Sequence, residues 1–229
     1  MLKHSKSILV SVAACLVAAN LCMASLASIS GTYYGGGQLQ DADTSKLFYP
    51  HVHPVVIKGT VDLSQSAGNK AIIIGLIDKD VYNLVPFTWS TAAQSVGAYF
   101  RKNNDGTASV GFSDGNSLDD GVDLCQQYVW RTTNDNVFTF ELTISETATL
   151  SVWGNGGAFA TKELDYLTQV LPYDTPNELS AGGYLWAWGY DAQNPGGIKY
   201  SAYVVPAPAA AALAFIGLGL VGWVRRRIA

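Results

Sequence analysis

The chain has 229 residues, 48% of them hydrophobic and 14% charged, with a formal net charge of −4. All 18 acidic residues lie within residues 28–204, whereas five of the 14 basic ones (Lys3, Lys6, Arg225, Arg226 and Arg227) lie outside, leaving a body at formal −9. Such a body repels phosphate, which excludes nucleic acid and anionic lipid as its partners.

Residues 1–27 read as a secretory signal peptide. Lys3 and Lys6 make a positive start, residues 8–23 an apolar stretch, and Ser25-Leu26-Ala27 a small-x-small cleavage site. Val12-Ala13-Ala14-Cys15 resembles a lipoprotein box, but cleavage there would leave the apolar stretch too short. Cys15 and Cys22 depart with the signal peptide. Cys125 then stands alone, no intramolecular disulfide can form, and stability must come from the core.

The body, residues 28–204, is long enough for one domain with a sizeable core. His51-x-His53 puts two imidazoles on one face of an extended segment, and Asp41 or Asp43 could add an oxygen. The flanking Pro50 and Pro54 make a surface loop the default. Short β-branched and aromatic runs then recur at 55–63, 71–77, 97–102, 107–112, 122–129, 137–145, 148–153, 185–190 and 199–205. Phe138, Phe140, Leu142 and Ile144 alternate with Thr139, Glu141, Thr143 and Ser145, as in a strand with one buried face. Asn104-Asp105-Gly106 predicts a type I′ hairpin turn between two runs. One helix is expected over residues 159–171, with Leu164, Leu167 and Leu171 at helical spacing and Pro172 as its stop. The pattern predicts a single all-β domain, an antiparallel β-sandwich or jelly roll.

Three further constellations bear on chemistry. Asp114, Asn116, Asp119, Asp120 and Asp123 crowd one loop with Gly115 and Gly121, the hard oxygen ligands a structural Ca²⁺ needs. The EF-hand pattern fails there, because Leu118 and Cys125 fall at ligand positions, and a solvated acidic turn is the competing reading. Trp186, Trp188 and Tyr190 alternate along one strand face at a pitch of ~6.7 Å, where they serve either as core or as a platform for successive sugar rings. Trp89, Trp130 and Trp153 are single and read as core. Glu163-Leu164-Asp165 is the nearest string to a paired-carboxylate glycosidase motif, but it lacks the final Glu. No catalytic residue is assigned.

Residues 74–78 and 97–114 look like the central strands of concanavalin A-like (laminin G-like) sandwiches. The resemblance rests on Gly75-Leu76-Ile77-Asp78, Tyr99-Phe100, Asn104-Asp105-Gly106 and Val110-Gly111-Phe112-Ser113-Asp114-Gly115. It implies a fold that commonly binds glycans and in some members hydrolyses them.

The C-terminus begins with Val205-Pro206-Ala207-Pro208-Ala209. An uncharged run to Val224 and the cluster Arg225, Arg226, Arg227 follow. The apolar run would span ~24 Å as a helix, slightly less than a bilayer core. The arginines would stay cytoplasmic, and the prolines leave an extended stretch outside the membrane. Gly217-x-Gly219-x-x-Gly222 is not a dinucleotide site here, since no strand precedes it and no acidic residue follows.

Val205, Pro206, Pro208, Ala209 and the three arginines resemble the PEP-CTERM class of bacterial sorting signals, in its Val-Pro-x-Pro-Ala form. Ala207 departs from the commonest form, which has Glu, and this bears on the subtype of processing enzyme. The resemblance implies a Gram-negative protein, handled by signal peptidase and exosortase and transiently anchored in the inner membrane. It would then be released to the cell surface or extracellular matrix. An ordinary single-pass anchor is the alternative. The sequence thus leads to the expectation of a non-catalytic exported sandwich that binds polysaccharide. A structural or adhesive matrix protein without a small ligand and a glycoside hydrolase or lyase stand as alternatives.

Overall fold

Alternation dictates the first sheet. Its central strands alternate: Val55, Ile57 and Val61 of β3 (Val55–Asp62), and Phe138, Phe140, Leu142 and Ile144 of β8 (Val137–Ile144), are buried while their neighbours are not. A computed structural model of the chain describes residues 26–35, 39–82, 95–114, 129–155, 157–158, 162–164, 179, 182–191 and 196–205. Residues Ala27–Val204 form one compact unit.

The first sheet runs in the order β1 (Ser28–Tyr33), β13 (Ile198–Val205), β3, β8, β9 (Ala148–Gly154) and β10 (Gly157–Ala158), with β11 (Lys162–Leu164) also on β9. The second runs β2 (Leu39–Phe48), β12 (Gly183–Asp191), β4 (Lys70–Asp78), β5 (Ser95–Lys102), β6 (Ala108–Asp114) and β7 (Val129–Thr133). Together they make an all-β, two-sheet antiparallel sandwich. Phe100 of the second sheet meets Phe138 and Phe140 of the first at centroid distances of 5.6 and 5.4 Å. Such aromatic pairs add about 0.5–1.5 kcal/mol each beyond the area they bury. Ile72, Ile74, Leu76, Leu185 and Ala187 fill the same inter-sheet core.

The two sheets differ in what their outer faces do. Every residue of β4 is buried, so its continuous apolar run Ile72-Ile73-Ile74-Gly75-Leu76-Ile77 answers to burial on both sides. Ala71, Ile73, Ile77, Tyr99, Trp186 and Trp188 form a second buried cluster on the face turned away from the first sheet. Tyr82, on the short helix α1 (Lys79–Tyr82), meets Tyr184 edge-on at 5.7 Å beside that cluster. On the first sheet, by contrast, the outward positions of β3, β8, β9 and β13 are all intermediate or exposed.

Two local expectations are corrected. Residues Lys162–Leu164 pair antiparallel with Leu150–Ala148 of β9, so this part of the expected helix 159–171 is strand. An open sheet edge offers backbone partners that outweigh the leucine spacing. The Asn104-Asp105-Gly106 turn is not type I′, because only Gly106 has a positive φ, at 86°. Gly106 N donates to Asn103 O and Asn103 N to Thr107 O, a three-residue loop whose last member is left-handed. Residues 129–133 form β7, and of the run expected over 122–129 only Val129 lies among the described residues, where it opens that strand.

Candidate functional site

Neither Trp186 nor Trp188 presents a ring to solvent. Both are fully buried, and their rings stack 6.3 Å apart at 6°. A sugar platform needs an open aromatic face, so these two residues act as core, the other role their spacing allowed. Tyr190 lies on β12, with its side chain outside the described residues.

Of the proposed calcium ligands, Asp114 ends β6, and Asn116, Asp119, Asp120 and Asp123 lie outside the described residues. Among the described residues no three His, Cys, Asp or Glu side chains come together as a metal-binding group. His51 and His53 are exposed in the turn after β2. Glu163 lies on β11, and Asp165 lies outside the described residues. Val205 closes β13, while Pro206, Pro208, Ala209, Arg225, Arg226 and Arg227 also lie outside them.

Of the exposed aromatic residues among the described ones, Tyr34 and Tyr49 lie just beyond β1 and β2, while Trp153 and Tyr203 stand on the strands of the opposite sheet. Trp153 of β9 is 39% exposed and Tyr203 of β13 is 41% exposed, both at outward positions. Register connects them. Thr60 Oγ1 and Ser201 Oγ share a hydrogen bond of 2.9 Å, Thr60 faces Thr139, and Thr139 faces Trp153. Tyr203 lies one outward position along β13 from Ser201. Three strand steps and one two-residue step place the two aromatics ~16 Å apart across the face.

Between them the surface is hydroxyl-rich, with Thr60, Thr139, Thr143, Thr149, Ser151 and Ser201 at outward positions. Its charges cancel. Lys58 Nζ meets Glu141 Oε2 at 2.8 Å, and Lys199 and Asp62 balance at one end. The Glu141 carboxylate beside Lys58 holds that ammonium above the ordinary lysine range. An electroneutral, flat face carrying two rings and a hydroxyl row is thus set on a body of formal −9. Such a surface can stack on the apolar faces of sugar rings and exchange hydrogen bonds with their hydroxyls, without attracting or repelling charge. Sequence reading placed Trp153 in the core. The signal that finds it is its phase: it shares parity with the polar Thr149 and Ser151, not with Ala148, Leu150 and Val152.

The two chain ends of the sandwich meet. Ser28 pairs with Tyr203 across β1 and β13, and Val204 N donates to Ala27 O at 2.9 Å. A hydrogen bond joins the two sheets at the same edge, where Tyr200 of β13 donates its hydroxyl to Asp41 Oδ2 of β2 at 2.9 Å. Burial first, and then this bond, hold the Tyr200 phenol well above the usual tyrosine range.

The class defined by this topology is the antiparallel β-sandwich. No protein-family model matches the chain, and no curated protein sequence matches it. Among solved structures it is similar to a peanut lectin bound to a 9mer peptide, at 8% identity and a TM-score of 0.38, covering 79% of this chain and 99% of that one. It is also similar to the Emp46p carbohydrate recognition domain, at 9% identity and a TM-score of 0.41, covering 77% and 88%. A third likeness is to exo-inulinase from Aspergillus awamori, at 11% identity and a TM-score of 0.42, with 80% of this chain covered. The chain spans only 30% of that inulinase.

Proposed function

We propose that the chain is an exported, non-catalytic β-sandwich, anchored and then released through its C-terminal segment by an exosortase. At the cell surface or in the extracellular matrix it binds an uncharged polysaccharide with the open face of its first sheet. The observation that carries the binding reading is the pairing of exposed Trp153 and Tyr203 with a charge-balanced hydroxyl row on an otherwise acidic body. The adjoining chain ends support the export reading. A signal peptide before Ser28 and an anchor after Val205 would both depart from one edge, Ser28 lying opposite Tyr203.

Affinity electrophoresis of the protein against neutral, acidic and basic polysaccharides tests this reading. Retardation by one or more neutral polymers and none by the acidic ones is expected. Equal mobility in every gel would leave the structural or adhesive matrix role in its place. Intact-mass analysis of protein from medium and membranes tests sorting, with a product ending near Pro208 expected in the medium.

A further inference from the structure

We infer that signal-peptide cleavage after Ala27 makes Ser28 the mature N-terminus, and that its new ammonium docks on the Asp43 carboxylate to clamp the two sheets at their shared edge. This rests on the export reading above. Ser28 opens β1, the edge strand of the first sheet, and Asp43 sits on β2, the edge strand of the second. Ser28 N lies 2.9 Å from Asp43 Oδ2. The other carboxylate oxygen is already engaged, accepting from Ser45 N at 3.0 Å and from Ser45 Oγ at 2.5 Å. Asp43 is therefore oriented before processing, with Oδ2 turned to the nitrogen that cleavage would liberate.

Hydrolysis changes what that nitrogen is. The Ala27–Ser28 peptide bond breaks, water's hydroxyl goes to the Ala27 carbonyl carbon, and its proton goes to the Ser28 nitrogen. An α-amine has an ordinary pKa near 8, so it takes a further proton from solvent at neutral pH. A single amide N–H donor becomes a cation with three N–H donors, and the contact becomes charge-assisted on both sides. The Ser45 hydroxyl first, with the Ser28 and Ser45 amides, holds the Asp43 carboxyl below the usual carboxylate range, so it is ionised there. The cleft between these strands, about 530 Å³, is lined by residues 28–30 and 41–45. That lining contains two carboxylates, Asp41 and Asp43, and no lysine or arginine. Lys46 of β2 is the cation that already acts on Asp43 from outside this lining, and the ammonium would add one within it.

Ala27 is buried, at 4% exposure, and accepts from Val204 N. Cleavage after Ala24, where Cys22-Met23-Ala24 is also small-x-small, would keep Ala27 seated and leave Ser28 an amide.

The full-length chain, expressed for export and recovered from the medium, is digested and its N-terminal peptide identified by mass. It is expected to begin at Ser28. The rate of isotope-coded acetylation of the α-amine at neutral pH is then compared between wild type, Asp43→Asn and wild type in denaturing urea. Both groups are exposed, so a carboxylate that raises the amine's pKa by about half a unit slows folded wild type about threefold against both comparisons. Should Asp43→Asn not fold, the urea comparison alone still decides. An N-terminus at Ser25, or equal rates in all three samples, overturns the inference while the export reading stands. An uncleaved chain beginning at Met1 would sink the export reading itself.

Discussion

Trp186 and Trp188, two residues apart on one face of β12, stack at 6.3 Å and 6° and are closed to solvent on the outer side of the second sheet. Their burial makes that sheet two-sided, and it leaves the first sheet as the only one of the two with an open described face. Trp188→Ala is expected to cost about 3–5 kcal/mol, the usual range for emptying a buried aromatic site. Urea unfolding followed by far-ultraviolet circular dichroism measures it. A loss under 1 kcal/mol would contradict the packing described.

Trp153→Ala and Tyr203→Ala carry the opposite expectation. Each side chain is about two-fifths exposed, so each change should alter stability by less than about 1 kcal/mol. Each should nevertheless weaken binding to a neutral polysaccharide by about 0.5–1.5 kcal/mol, which is several-fold in affinity. Affinity electrophoresis beside thermal melts separates the two effects. Binding left intact by the double variant would remove the site from this face.

Tyr200 and Asp41 set a pH dependence. The folded-state pKa of Tyr200 is raised, by burial and then by the bond to Asp41. The stability it contributes is therefore complete below the unfolded tyrosine value of about 10 and is lost as pH rises beyond it. Tyr200→Phe should lower stability at neutral pH by about 1 kcal/mol and flatten the alkaline limb between pH 10 and 12. Urea midpoints measured across that range check it; a limb as steep in the variant as in wild type would assign the loss to another group.

Two glycines separate close packing from backbone conformation. A Cβ on Gly75 would sit 1.9 Å from Val96 O, a backbone atom of the adjoining strand. Gly75→Ala should cost upwards of about 3 kcal/mol or prevent folding. A Cβ on Gly106 meets nothing within 4 Å, but φ there is +86°, so Gly106→Ala should cost about 1–2 kcal/mol. Equal costs for the two in chemical denaturation would count against the strand spacing seen here.

Much of the sandwich was legible because a strand with one wet face writes its burial into every second residue. β8 shows that alternation directly, and the runs over β3, β4, β9 and β13 stand out by their β-branched and aromatic residues. β1 and β2 do not, since Ser28-Ile29-Ser30-Gly31 and Gln40-Asp41-Ala42-Asp43-Thr44-Ser45 are polar edge sequences. Their place is decided by partners such as Tyr203 and Trp186, which are remote in sequence. Leucine spacing over 159–171 suggested helix, but Lys162–Leu164 lies against β9, and local propensity yields to a neighbour's backbone.

Composition and periodicity alone determined an acidic, disulfide-free, all-β body between two apolar ends, because charge, cysteine number and alternation are properties of the chain itself. That Trp186 and Trp188 are closed to solvent was decided only by tertiary structure, because their alternation along β12 reads the same for a covered face as for an open one. Trp153 shares the phase of Thr149 and Ser151, and its exposure follows from that alternation once β9 has only one covered face.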